Sequence, residues 1–329
     1  MLTQGSVVDY LVGRNVIDAP GLGVTVEGLV GGVSNDVFAV TGGRVDLVLK
    51  QAMSQLAVEE EWFADPKRIL VEAKALQTVG SITPDAVPAV VDVDDSALVI
   101  CIQRAPQEWE SWKSNLLAGD TRGAVAAFLG RALARWHSET AGDETVASQF
   151  DATYFESLRI DPYYRVAASR NTALAGPLDA LATELATEKV SLVHGDFSPK
   201  NVLTDGDAGW VLDWEVAHYG HPVFDVAFLQ SHLLLKGIHQ PQWHEGYLAC
   251  AQIFIAEYQR HLTNIDAGRY ANLSRHVGAL LLARVDGKSP VEYLTGDQQL
   301  LTRSIAEVAL TQPAITLDEL WRMLPGRTE

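Results

Sequence analysis

His194-Gly195-Asp196, Asn201 and, a little further on, Asp213-Trp214-Glu215 are the residues whose types and spacing suit chemistry. The apolar run from Val190 to Val193 reads as a buried strand that stops at His-Gly-Asp, where glycine lets the backbone turn and leaves an aspartate at the strand end. Two further apolar runs, Asn201–Thr204 and Trp210–Leu212, flank Asp205-Gly206-Asp207-Ala208-Gly209, a segment tolerant of positive φ, and together they predict a β-hairpin. Antiparallel pairing would bring Asn201 and Asp213 to its open end. An amide oxygen and a carboxylate suit Mg²⁺, which takes a few hard oxygen ligands and keeps the rest of its shell for water and phosphate. Glu215 is a further oxygen donor for the same ion. Asp196 need not bind metal and is free to act as base. A carboxylate that orients a hydroxyl and accepts its proton, beside metal ligands that neutralise phosphate charge, is the arrangement phosphoryl transfer from ATP requires.

Other elements must position these groups. Val24 to Val30, Asp36 to Val40 and Val45 to Lys50 read as three strands, with a turn at Gly31-Gly32-Val33-Ser34-Asn35 and another at residues 41–44. Gly31, Gly32, Ser34 and Asn35 could lay backbone N–H groups over phosphates, although an ordinary hairpin turn explains the same residues. Lys50 ends the apolar Leu47-Val48-Leu49, where a charge is costly unless paired, and a phosphate-binding lysine on a third strand is what a kinase-type lobe uses. Asp65-Pro66 supplies a helix start, and Ile69, Ala73 and Leu76 follow at helical spacing. Glu72 lies on that inward stripe, with Lys50 as its expected partner. After the buried run Ala97–Ile102, Gln103-Arg104-Ala105-Pro106 reads as a hinge. Beyond it the chain is largely helical: Val125, Leu129, Ala132 and Trp136 mark one helix face, with His137 as a structural histidine. The aromatics between Phe150 and Arg165 read as filling a core or a lobe interface, with a substrate wall as the weaker reading. His218, His221 and His232 straddle a glycine-proline turn without a fourth obvious ligand, so a zinc site is the weaker reading.

The chain has 329 residues, 47% hydrophobic and 20% charged, enough for one large domain or two lobes and unlike a disordered sequence. A net charge of −17 argues against nucleic acid or an anionic membrane as partner. Cys101 and Cys250 sit in apolar neighbourhoods without paired spacing, which suits a reducing cytoplasm. The N-terminus lacks a signal-peptide pattern, and no run approaches the length that spans a bilayer.

The His194-Gly195-Asp196 to Asn201 spacing, then Asp213, resembles the catalytic and metal loops of the aminoglycoside phosphotransferase and choline kinase superfamily, whose fold is that of the protein kinases. The resemblance runs from about residue 25 to about residue 300 and is strongest between Val190 and Leu235. It implies an α+β, bilobal, protein-kinase-like fold: a nucleotide-binding lobe at 1–103, built on a small antiparallel sheet with one main helix, and a larger, mostly helical catalytic and acceptor-binding lobe at 104–329. It further implies ATP and Mg²⁺ as cofactors, a cytoplasmic protein, Asp225 as a brace for the catalytic loop, and an adenine ring facing the backbone near Gln103. A homodimer is left open.

Only about ten residues separate Asp213 from Asp225 and no Ala-Pro-Glu follows, so there is no room for the long activation segment of a protein kinase. A small hydroxyl-bearing acceptor is expected. Asp213-Trp214-Glu215, Gly-Gly-Val-Ser-Asn, Lys50-Gln51-Ala52, Trp62, Asp65, Arg68 and Glu72 look like the 5-methylthioribose kinase branch, which uses late arginines for its sugar; Arg284 stands at such a place. Its neighbour is Ala283 and not a second arginine, so another sugar or amino-sugar stays open as acceptor. The alternatives are an aminoglycoside or other cationic amino-alcohol kinase, and a non-catalytic ATP-binding protein.

Overall fold

The computed structural model describes residues 2–18, 23–29, 35–53 and 65–325. Gly31, Gly32, Ser34 and Trp62 lie outside the described residues. The chain divides into two compact units, Met1–Glu108 with Leu212–Glu215, and Trp109–Val211 with Val216–Glu329.

In the first unit five antiparallel strands, β1 (Thr25–Gly28), β2 (Asn35–Gly42), β3 (Val45–Ala52), β4 (Val90–Asp94) and β5 (Val99–Gln103), lie in the order β1-β2-β3-β5-β4. Gly43, at φ 63°, starts the tight turn between β2 and β3, a conformation that costs glycine least. Strand alternation sends neighbouring residues of β3 to opposite faces. Leu49 joins Val40, Val99 and Cys101 on one face, where Val7 and Leu11 of a first helix, α1 (Val7–Gly13), complete an apolar cluster. Burying each of these two side chains contributes about 1.5–3 kcal/mol. The polar edge of α1 is tied to β4: Arg14 donates to both Asp92 oxygens at 2.9 and 2.8 Å, and Tyr10 Oη donates to Asp94 at 2.9 Å. In the fold α1 covers this sheet face.

Lys50, opposite Val37 and Ile100 in the ladder, turns to the other face and meets α2 (Arg68–Ile82). Asp65 Oδ1 accepts from the Lys67 N–H at 3.0 Å just before that helix. The buried stripe of α2 includes Ile69, Ala73, Leu76 and Val79, and with them two charged residues, Arg68 and Glu72.

The second unit is mainly helical. The Gly123–Thr140 helix buries Val125, Leu129, Ala132 and Trp136, the face expected from their spacing, and packs on the His244–His261 helix. The Val223–His239 helix is buried almost all round and packs against the Leu273–Asp286 helix. Residues Glu156–Arg165 wind as a π-helix with Pro162 inside. Proline has no N–H to donate and crowds the preceding turn, which disfavours a regular α-helix at that point. Ser191–Val193 pairs with His218–Gly220, and Val202–Thr204 pairs with Gly209–Val211 in the register Val202 opposite Val211. The hairpin expected from the sequence is present, its loop closed by Asp205, whose Oδ1 accepts from the N–H groups of Asp207 and Ala208 at 2.9 and 3.0 Å. Among the described residues no helix is long and apolar enough to cross a membrane.

Candidate active site

The candidate residues fall into a cluster in each unit. In the first unit Lys50 Nζ lies 2.5 Å from Glu72 Oε1, the glutamate having no exposed side-chain surface. Burial alone would lower the Lys50 pKa, but the charges of Glu72, Asp213 and Glu215 outweigh it and hold the ammonium above its ordinary range. A lysine kept charged in this way can bind phosphate oxygens. Arg68, fully buried on the same helix stripe, donates from Nε to Glu215 Oε2 at 3.0 Å, and Asn35 Nδ2 approaches the same oxygen at 3.5 Å. Arg68 also donates to the carbonyl oxygens of Met53 and Asp65, each at 3.1 Å. The sequence pattern gives Arg68 no such role; its position four residues before Glu72 is the signal that places it on the charged stripe.

Asp213 has φ 66°, in the left-handed region that a non-glycine residue rarely adopts, next to Trp214, which is only 1% exposed. Among the described residues its carboxylate enters no hydrogen bond or ion pair, and its charge acts on Lys50. Its carboxylate is thus open to a cation, whereas Glu215 has one oxygen committed to Arg68 and Asn35. Gln103 stands exposed at the end of β5, its N–H donating to Ala89 O at 2.8 Å.

In the second unit the turn after Ser191–Val193 depends on Gly195, at φ 78°, where a Cβ would lie 2.7 Å from Val216 O. Asp225 braces that turn. Its Oδ2 accepts from the His194 N–H at 2.7 Å and its Oδ1 from the Gly195 N–H at 2.9 Å. Burial would raise the Asp225 pKa, but the hydrogen bond and charge of His137, followed by those of His194, hold it below the ordinary carboxylate range. His137 is fully buried, with Nε2 3.3 Å from Asp225 Oδ2 and Nδ1 2.7 Å from Tyr258 Oη. The structural histidine of the sequence pattern therefore supports the brace itself.

Asp196, 4% exposed, is set by its neighbours. Its N–H donates to His194 Nδ1 at 3.0 Å. Asn201 Nδ2 donates to the Asp196 carbonyl and to its Oδ2, both at 2.9 Å. That leaves the Asn201 amide oxygen, the atom a magnesium ion would use, without a hydrogen bond among the described residues. Arg159 Nη2 lies 3.2 Å from Asp196 Oδ1 and Lys200 Nζ 2.9 Å from Oδ2. Burial would raise the Asp196 pKa, but Lys200 and Arg159 keep the carboxylate well below its usual range. Arg159 is itself held by Gly195 O at 2.7 Å and Leu158 O at 2.7 Å. Its guanidinium sits over Tyr163 at 5.8 Å and Phe228 at 6.0 Å, so part of the aromatic segment expected to fill a core or a lobe interface lines this cluster. Arg159, between Leu158 and Ile160 in a stretch otherwise rich in aromatics, was the signal for it.

Arg284 is also in this unit, with Nη1 donating to Ser289 O at 2.5 Å, Ser289 Oγ at 3.1 Å and Tyr163 Oη at 3.4 Å. His218 stacks on Phe155 at 3.7 Å and His221 Nδ1 accepts from the Val223 N–H at 3.1 Å, so both serve packing and turn geometry. Among the described residues no three His, Cys, Asp or Glu side chains converge as a metal cage. Magnesium in phosphoryl transfer needs none, since one or two protein oxygens and the substrate phosphates hold it. Among the described residues, Asp213 in the first unit has unengaged carboxylate oxygens, and in the second unit Asn201 has an unengaged amide oxygen.

Residues 25–261 match the phosphotransferase enzyme family. The chain is 23% identical over 264 residues to methylthioribose kinase of Bacillus cereus strain G9842, covering 72% of this chain and 67% of that one. A second methylthioribose kinase, from Bacillus mycoides, is 24% identical over 62% of this chain and 59% of its own length. The matches thus span about two thirds or less of those relatives. Among solved structures, a choline/ethanolamine kinase family protein from Mesorhizobium loti superposes with a TM-score of 0.55 at 15% identity, over 96% of this chain and 99% of that one. An aminoglycoside phosphotransferase in ternary complex with streptomycin and ATP gives a TM-score of 0.51 at 13% identity, over 95% and 98%. The α+β architecture with its five-stranded antiparallel sheet is the fold of these proteins.

Proposed function

Because the chain belongs to the phosphotransferase enzyme family, we propose that it is an ATP-dependent kinase that transfers the γ-phosphoryl group to a hydroxyl of a small, sugar-like acceptor. The observation that carries this reading is Asp196, a buried carboxylate held charged by Lys200 and Arg159, its N–H bonded to His194 Nδ1 on the turn that Asp225 braces. Asp196 orients the acceptor hydroxyl and takes its proton as the new oxygen–phosphorus bond forms and the bond to the β-phosphate oxygen breaks, releasing ADP. In a loose transition state the hydroxyl needs orientation more than deprotonation, so a weakly basic carboxylate is adequate.

Lys50, fixed by Glu72, binds the α- and β-phosphates, and backbone near Gln103 receives the adenine. Asn201 and Asp213 are the magnesium ligands in this reading, and Glu215 orders its surroundings through Arg68. When bound, magnesium neutralises charge on the phosphates. Gly31, Gly32, Ser34 and Asn35 complete the phosphate loop. Methylthioribose kinase similarity supports a sugar-like acceptor.

The test is ADP release by the purified protein with Mg²⁺ and ATP over methylthioribose, other pentoses, amino-sugars, aminoglycosides, choline and homoserine. Acceptor-dependent release should vanish in Asp196→Asn while nucleotide binding survives. Turnover that persists in that variant would sink the assignment.

A further inference from the structure

Phe228, His232 and Lys236 recur every four residues along the Val223–His239 helix, so they form one stripe with about 6 Å of rise between neighbours. The Phe228 end lies next to Asp196. Phe228 is 6.0 Å from the Arg159 guanidinium carbon, and Arg159 is 3.2 Å from the Asp196 carboxylate. The His232 ring follows at 5.0 Å from Phe228. Lys236 stands at the far end, 2% exposed.

Among the described residues the Lys236 ammonium has no hydrogen-bond or ion-pair partner. The charges that act on it, Lys113 of the Trp112–Leu117 helix and Arg284 of the Leu273–Asp286 helix, are both positive. Arg284 is anchored through Nη1 to Ser289 and Tyr163, while its Nε is buried with no partner among the described residues. His232 feels the positive charges of Lys236, Arg284 and Lys200 and the negative charge of Asp196. Burial first, then these like charges, pushes Lys236 down to about 7. A buried ammonium without a carboxylate is costly, and in a chain with 42 Asp and Glu against 25 Lys and Arg the lack of an acidic partner stands out. The group that would balance this stripe is an anion.

We propose that Lys236, with Arg284 and His232, forms a subsite for a fixed negative charge on the acceptor, so that the substrate is a hydroxyl compound bearing a carboxylate or a phosphate. The inference rests on the kinase reading for its claim that the anion belongs to the acceptor. A cationic acceptor would meet repulsion along the same stripe.

The experiment uses the full chain, Lys236→Met and Lys236→Arg. Calorimetric binding of D-gluconate and D-ribose 5-phosphate is compared with that of D-ribose and D-glucosamine, and ADP release is followed with the same compounds. At least one of the two anions should bind the parent protein and Lys236→Arg about tenfold or more tighter than Lys236→Met, the loss typical of one charge-assisted contact. D-Ribose and D-glucosamine should not distinguish the variants. Gluconate against ribose 5-phosphate tells carboxylate from phosphate. Equal anion binding by the parent protein and Lys236→Met, no binding of either anion, or a preference for glucosamine would overturn the proposal. Asp196-dependent turnover with any acceptor would uphold the kinase reading even then. Anion binding lost in Lys236→Met without such turnover would keep the subsite and sink the kinase reading.

Discussion

Arg159 reaches Asp196 and the glycine beside it at once: Nη2 lies 3.2 Å from the Asp196 carboxylate and Nε donates to Gly195 O at 2.7 Å. One planar guanidinium therefore joins Lys200 in holding the charge of the candidate base and also fixes the turn that carries it. Arg159→Met should lower kcat by about tenfold to a hundredfold with little change in the KM for ATP, and Arg159→Lys should recover only part, because an ammonium cannot hold both contacts. Steady-state kinetics decide this. A rise in KM for ATP with kcat unchanged would contradict it.

The Lys50–Glu72 pair separates function from stability. Glu72→Gln leaves the ammonium buried without its closest counter-charge and should cost about 3 kcal/mol in denaturant unfolding. Lys50→Met combined with Glu72→Leu should recover most of that loss while phosphoryl transfer stays absent. A double variant no more stable than Glu72→Gln would show that the pair is not the source of the cost.

Asp225→Ala removes the acceptor of two buried N–H groups, those of His194 and Gly195. It should destabilise the second unit by about 3 kcal/mol, and His137→Phe, which leaves the carboxylate in place, by about 1–2 kcal/mol. Urea midpoints measure both. A loss for Asp225→Ala below about 0.5 kcal/mol would mean that the turn holds without its brace.

Lys236 also gives a pH signature that needs no substrate. Its folded pKa of about 7 lies far below the ordinary lysine value, so the unfolded chain binds more protons between those values and stability rises with pH across them. The penalty is full below about pH 7. Lys236→Met should therefore stabilise the protein at pH 6 by on the order of a few kcal/mol, with the gain fading toward pH 10. Unfolding midpoints of both proteins at the two pH values check this, and a gain independent of pH would contradict it.

Buried neutral histidines add an acid-side effect. Burial lowers His218 to about 3 and His221 to about 4, so stability should fall as pH drops from about 6.5, where the unfolded histidines begin to take protons. His218→Phe should flatten the decline in thermal midpoint between pH 7 and pH 5. An unchanged slope would assign the decline to other groups.

Local pattern carried a good part of this molecule. The stop of an apolar run at His194-Gly195-Asp196, the turn-rich segment between two short strands, and a lysine ending an apolar strand are signals that each span only a few residues, and backbone preference and strand or helix period suffice to read them. The strand Ser191–Val193, the 202–211 hairpin, β3 and α2 all follow. The same reading leaves α1 without a role, because a short amphipathic stretch does not say which sheet face it will cover. It also leaves charged residues unpaired on paper. Arg68 finds Glu215 across 147 residues of sequence and His137 finds Asp225 across 88. Arg159, His232, Lys236 and Arg284 gather only when the π-helical segment and the helices after it pack together. Periodicity fixes which face a residue occupies, whereas the partner on the opposing face depends on the close packing of distant segments, and with it the sign of the charge around the base.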